Sequence, residues 1–343
     1  MWGRRRVLLA WGVAILCLPL VYLAFRDVDF DQFWDALRTS DYVWVLPAFA
    51  VLVVTVVLRG LRWRFLFPPE TRPPTGPTME ALLVGYFFNS ILPLRAGEVI
   101  RVVVLHQRAG TSRVEALATT VADRVYDVGV LLVLLFVTLP FLPGVDWLRQ
   151  VVLFALLFGI LLAVTIAVLL LWGERAARVL VRPLRYLPGF TAGRTDAAAR
   201  SLVRGLAAFR RPDLVLAPLG LTFLSWLAFA LSFWLLMQGF YLGLGYDAAL
   251  LTVIAVNLAM LIPSLPAALG VFEAATVVAL SAYGIGSSQA LSYAVVLHVL
   301  NFLPFVIAGY IVLHRHSLHM RRRATPPAYE PGPVQAARQA GRR

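Results

Sequence analysis

The 343-residue sequence contains no lysine; all 31 of its Lys/Arg positions are arginine. It has a single cysteine, Cys17, which excludes an intrachain disulfide and a cysteine-built metal cluster. Charge is scarce as well. Acidic and basic residues make up 14% of the chain, against about 25% in soluble domains. No Gly-rich nucleotide loop and no metal-type His/Cys spacing occurs, so no nucleotide, metal or other cofactor is expected. What remains is apolar. Hydrophobic residues are 60% of the chain, and mean hydropathy is +0.79. That balance indicates an all-α polytopic membrane protein.

The formal net charge of +13 would raise nucleic acid as a partner in a soluble chain. Here the arginines gather between hydrophobic runs, where the positive-inside rule accounts for them, and no nucleic-acid partner is expected. Arg4, Arg5 and Arg6 precede the first apolar run, Val7 to Phe25, which is long enough to span. No small-x-small cleavage site follows it, so it reads as an uncleaved first helix with a cytoplasmic N-terminus. Phe30, Phe33, Trp34 and Leu37 then fall at i, i+3, i+4 and i+7, an amphipathic helix suited to the outer interface. Further full spans are expected at 43–58, ending at Arg59, Arg62 and Arg64, and at 116–139, 148–172, 214–236 and 291–313. Residues 173–213 form a basic cytoplasmic segment, and 320–343 a basic cytoplasmic tail with the composition of disorder. Residues 1–319 thus read as a single transmembrane domain with both termini cytoplasmic, in the cell (plasma or inner) membrane.

Four apolar runs are too short to cross about 30 Å of hydrocarbon at about 1.5 Å per residue. They come in two pairs, 79–105 and 248–283, each interrupted by a helix break. Pro93 and Gly97 mark the first break; Pro263, Pro266 and Gly270 mark the second. Pro93 to Gly97 and Pro266 to Gly270 share the spacing Pro-x-x-x-Gly, 173 residues apart, and Glu98 or Glu273 follows. By the arginine topology one pair enters from inside and the other from outside. The expected architecture is therefore about six spanning helices plus two re-entrant helical hairpins, arranged as an inverted repeat.

Charged residues inside a membrane domain mark function or structural pairing. Arg95, Glu98 and Arg101 surround the first break, with Asn89 before it. On the following span Asp123, Arg124 and Asp127 lie on one face, since residues 100° apart in projection bring i and i+4 together. His298 and Asn301 lie one residue beyond the repeat equivalents of Arg124 and Asp127. Arginine forks suit phosphate oxygens, and the acids suit either those arginines or a cationic headgroup. Asn89, Arg95, Glu98, Arg101, Asp123, Arg124, Asp127, Glu273, His298 and Asn301 are accordingly the candidate substrate-binding residues.

The residues Asn89-x-x-x-Pro93-x-x-x-Gly97-Glu98-x-x-Arg101, Asp123-Arg124-x-x-Asp127 and Pro266-x-x-x-Gly270-x-x-Glu273 resemble the lysylphosphatidylglycerol synthase transmembrane-region family, also called flippase-like domain proteins. The resemblance covers about Val7 to Leu313. It implies a lipid flippase moving an anionic or aminoacylated phospholipid, or a related lipid-linked headgroup, between leaflets. In the multiple peptide resistance factor a soluble aminoacyl-transferase domain follows the membrane domain. This chain ends at Arg343 without room for one, so lipid synthesis is not expected, although a separate lipid-modifying enzyme is a possible partner. The rival readings are a membrane-embedded lipid- or glycan-transferase, served by paired carboxylates, and a non-catalytic membrane scaffold.

Overall fold

The structure, a computed structural model, describes residues 25–92, 95–144, 146–182, 212–260 and 266–324, together with Tyr22, Gly193, Asp196, Ala199, Arg200 and Val203. Most of the expected first span, Pro93, Pro263, most of the basic segment and the tail beyond Ala324 lie outside the described residues. The described chain is helical. Its elements are α1 (Phe30–Thr39), α2 (Val45–Phe65), α3 (Thr75–Ile91), α4 (Gly97–Ala109), α5 (Arg113–Thr138), α6 (Asp146–Trp172), α7 (Glu174–Val181), α8 (Pro212–Gly239), α9 (Tyr246–Ala259), α10 (Val271–Ser281) and α11 (Ser287–Ala324). Among the described residues, five segments are long and apolar enough to cross a membrane: Tyr42–Phe65, Arg113–Phe141, Val152–Leu169, Val215–Gly239 and Ser287–Arg315. This is an all-α polytopic membrane protein.

Two expected boundaries shift. The second span does not stop at Leu58 but runs on through Arg59, Arg62 and Arg64 to Phe65. Arginine has good helix propensity, and Arg59 and Arg62 find partners inside the bundle, described below. At the other end, α11 continues to Ala324, past the 319/320 boundary assigned to the tail.

The amphipathic α1 begins at Asp29, whose carboxylate accepts the Asp31 and Gln32 backbone N–H groups as an N-cap. It docks on the start of α11: the Asp29 N–H donates to the Ser288 hydroxyl (2.9 Å), and the Ser292 hydroxyl to the Phe33 carbonyl (2.8 Å).

The short runs form two helical hairpins, α3 packed on α4 and α9 packed on α10. The helix ends that flank the two breaks, Ile91 and Gly97 in the first and Ala259 and Val271 in the second, lie close to where the sequence places them. Gly97 itself has a different role from the one its position suggests. Among the described residues of the first break, the left-handed one is Arg95, at φ +52°, a conformation that costs a non-glycine residue about 1–2 kcal/mol. Gly97 instead permits close approach, since a Cβ there would lie 2.0 Å from the Gly85 carbonyl oxygen on α3. At the second break Ala267, Ala268 and Gly270 all have positive φ.

Helices α2–α5 recur as α8–α11. Helices α4 and α10 begin at residues 97 and 271, and α5 and α11 at 113 and 287, 174 apart in both cases. The packing repeats with them. Where α3 meets α11, α9 meets α5; α2 meets α3 as α8 meets α9; α4 meets α5 as α10 meets α11. The self-paired contact, α2 on α8, is the most extensive between any two helices. These two run antiparallel: the Asp41 N–H before α2 donates to the Gly239 carbonyl at the end of α8 (2.8 Å), while Arg59 lies over Trp226 and Phe229. A two-fold relation that sets counterpart spans antiparallel has its axis across the helices. In a membrane that is the geometry of inverted topology. The main apolar core fills the space between the halves, from Leu52, Val130 and Leu134 to Phe233, Phe272 and Leu297.

Candidate functional site

The mid-regions of α2, α3, α5, α8 and α11 and the ends of both hairpins surround a cavity of about 420 Å³. Helix periodicity selects its wall. From α2 it takes Leu52, Thr55, Val56, Arg59 and Arg62; from α3, Leu82, Tyr86, Asn89 and Ser90; from α5, Asp123, Arg124, Asp127, Val128 and Leu131. Each set recurs every three to four residues, one stripe of a helix. Trp226 and Phe229 of α8, Asn257 near the end of α9 and Asn301, Phe302 and Phe305 of α11 complete it.

The charged residues form one network. Arg62, 1% exposed, bridges α2 to α5 with one nitrogen on Asp123 (2.6 Å) and another on Asp127 (2.5 Å). Arg101 reaches Asp123 (3.1 Å) and Glu98 (2.7 Å), and its guanidinium lies 4.5 Å from the Trp63 ring centre. Arg124 contacts Glu98 (3.0 Å) and Asp127 (3.2 Å). Its side chain is 39% exposed, the most open in the network. Each of the three carboxylates thus meets at least two arginines. The indole N–H of Trp226 also donates to Asp127 (3.1 Å).

Two further arginines face the cavity with no carboxylate in ion-pair contact among the described residues. Arg95 donates from Nη2 to the Met260 carbonyl at the end of α9 (3.1 Å), tying the tips of the two hairpins together. Arg59 is held between aromatic faces, 4.8 Å from the ring centres of both Trp226 and Phe229. Its Nε and Nη2 are buried with no protein acceptor. A buried donor left unmet costs about 1–3 kcal/mol.

Seven of the ten candidate residues from the sequence line the cavity: Asn89, Arg95, Glu98, Asp123, Arg124, Asp127 and Asn301. Arg101 is not in the wall; it is buried beside Trp63 and fixes the carboxylates that are. Glu273 and His298 are not in the wall either. Glu273 caps α10 by accepting the Gly270 N–H (2.7 Å) and meets His298 Nδ1 (2.5 Å). That pair is the counterpart of Glu98 with Arg124, the first turn of the second hairpin helix meeting the span that follows. Sequence reasoning missed Arg59, Arg62 and Trp226. The signal for the first two was the i, i+3, i+4, i+7 and i+10 stripe from Leu52; for Trp226 there was none.

Chemically, the arrangement offers arginine N–H groups in a pocket walled by aliphatic and aromatic side chains. The first turns of α4 and α10 already carry Glu98 and Glu273, which complement the positive helix ends. An anion in the cavity therefore meets side-chain guanidinium groups.

The family described as "Lysylphosphatidylglycerol synthase TM region" matches residues 9–309. A UPF0104 membrane protein of Methanothermobacter thermautotrophicus is 25% identical over 283 residues, 78% of this chain and 82% of that protein. A second from the same organism is 24% identical, over 86% of this chain and 90% of its own length. Glycosyltransferase AglD of Haloferax volcanii is 27% identical over 124 residues, which is 36% of this chain and 20% of that protein.

Proposed function

Because the chain belongs to the lysylphosphatidylglycerol synthase TM region family, we propose that it is a lipid transporter that passes a phospholipid or lipid-linked headgroup between leaflets. The observation that carries this reading is the position of the ionic network. A lone charge in hydrocarbon costs several kcal/mol, yet Arg59, Arg62, Arg95, Arg124, Glu98, Asp123 and Asp127 converge on one cavity among membrane-spanning helices. A cavity of this kind replaces the water that a polar headgroup loses midway across. The two hairpins enter the bilayer without crossing it, and their tips, joined by Arg95, form the floor of the path. Exchange of conformation between two antiparallel halves would open the cavity to each leaflet in turn. The protein acts in the cell membrane without cofactor.

The match to AglD favours a second reading, a membrane-embedded transferase acting on a lipid-linked sugar, with Asp123, Asp127 or Glu98 as acid or base. Every one of those carboxylates is held by arginines, which favours a binding role over proton transfer. Leaflet exchange of a reporter phospholipid in vesicles carrying the purified protein separates the two. Exchange above protein-free vesicles, with the lipid covalently unchanged and the rate lowered tenfold or more in Arg124→Gln, is expected. A new covalent product without exchange supports the transferase; neither exchange nor product overturns both.

A further inference from the structure

We propose that the cavity selects a net-anionic, phosphate-bearing headgroup and rejects an aminoacylated, net-cationic one, with Arg59 as the selecting residue. This rests on the reading of the cavity as a lipid path and states its cargo.

Five arginines, Arg59, Arg62, Arg95, Arg101 and Arg124, serve the cavity and the wall behind it, against three carboxylates, Glu98, Asp123 and Asp127. Arginine stays protonated in proteins, so the cluster is short of negative charge by two. The carboxylates are also all ion-paired: Asp123 with Arg62, Arg101 and Arg124, Asp127 with Arg62 and Arg124, Glu98 with Arg101 and Arg124. A cationic amino group entering the cavity would have to displace an arginine to find an acid. A phosphate finds two guanidinium groups that, among the described residues, have no carboxylate in ion-pair contact, Arg59 and Arg95.

Hydrogen-bonding capacity points the same way. Five buried arginine nitrogens of the cluster lack a protein acceptor, Nε and Nη2 of Arg59 and Nε of Arg62, Arg101 and Arg124, against three buried oxygens without a donor, Asn89 Oδ1, Glu98 Oε2 and Asp123 Oδ1. Donors in excess call for a ligand made of acceptors, and phosphate oxygens are acceptors only. Arg59 is set up for this by its neighbours. Stacking on Trp226 and Phe229 replaces an ion pair, and the indole N–H of Trp226 is fixed on Asp127. The guanidinium is thereby positioned in the cavity wall by ring faces and not by a carboxylate.

Native mass spectrometry of the purified protein titrated with lipids of matched acyl chains tests this. The probes are phosphatidylglycerol, phosphatidylcholine and lysyl-phosphatidylglycerol. Phosphatidylglycerol is expected to bind at least tenfold more tightly than lysyl-phosphatidylglycerol, with phosphatidylcholine between. In Arg59→Gln that ratio should fall towards one; Arg59→Lys, which keeps the charge, should retain part of it. A melting temperature for each variant shows that the preference is read on folded protein. Equal or tighter binding of the aminoacylated lipid, or an unchanged ratio in folded Arg59→Gln, overturns the proposal. The transport reading fails separately. Charge-selective binding without leaflet exchange removes transport and leaves this assignment standing, whereas exchange indifferent to headgroup charge removes only the assignment.

Discussion

Arg62 and Arg124 grip the same carboxylate, Asp127, from opposite sides of the cavity boundary. Arg62 is sealed into the wall, with its charge shared between Asp123 and Asp127. Arg124 faces the cavity. Removing a sealed partner leaves two buried carboxylates undercompensated, a loss of about 3–5 kcal/mol. Arg62→Ala is therefore expected to lower stability by that order in denaturant unfolding in micelles. Arg124→Gln should cost less than half as much, because Asp127 and Glu98 keep Arg62 and Arg101. The reverse ranking would show that the two roles have been exchanged. The same pair marks how far residues can be read without coordinates. Arg124 was legible because it stands between two aspartates in the middle of a long apolar run. Arg62 was not, because three arginines after an apolar run carry the usual signature of a cytoplasmic helix end. Only the tertiary contact with α5 turns it inward.

Among elements, the hairpins were the most legible. Runs too short to cross, each with proline and glycine at the break, place α3, α4, α9 and α10 to within a few residues. Where sequence logic went astray was in why Gly97 is a glycine. Its dihedrals are helical; what it supplies is space, since a methyl group there would lie 2.0 Å from the Gly85 oxygen and 2.6 Å from Asn89 Oδ1. Gly97→Ala should therefore push α3 and α4 apart, at about 1–3 kcal/mol or more, and shift Asn89 in the cavity wall. Gly129→Ala is the matching control. A Cβ at Gly129, inside α5, has no atom within 4 Å. That change should leave thermal stability equal or raise it by about 0.5–1 kcal/mol through helix propensity. A melting curve of each variant decides; equal effects would mean that the α3–α4 contact is looser than described.

At the scale of the whole molecule, the repeat was visible as one proline–glycine spacing and two trailing glutamates. The structure extends it to four helices per half and to a packing scheme that maps onto itself when the halves are exchanged. Helix α6 stands outside that scheme, on the chain between the halves; among the described elements its substantial contacts are to α5 and α7. The two halves are alike in frame and unlike in chemistry. Glu98 and Arg124 open onto the cavity, while their counterparts Glu273 and His298 close on each other. That asymmetry puts the cationic surface on the first half and leaves the second to supply Asn301 and aromatic walls. The central claim is that a polar, wetted cavity lies between the halves at mid-membrane, and cysteine accessibility measures it most directly. With Cys17→Ser as background, single cysteines at Asn89, Asn257 or Asn301 should react with a membrane-impermeant thiol reagent in intact vesicles. Cysteines at the lipid-facing positions Val133, Leu157 and Leu161 should stay unlabelled. Protection of all three asparagine positions to the level of those lipid-facing controls would contradict the account.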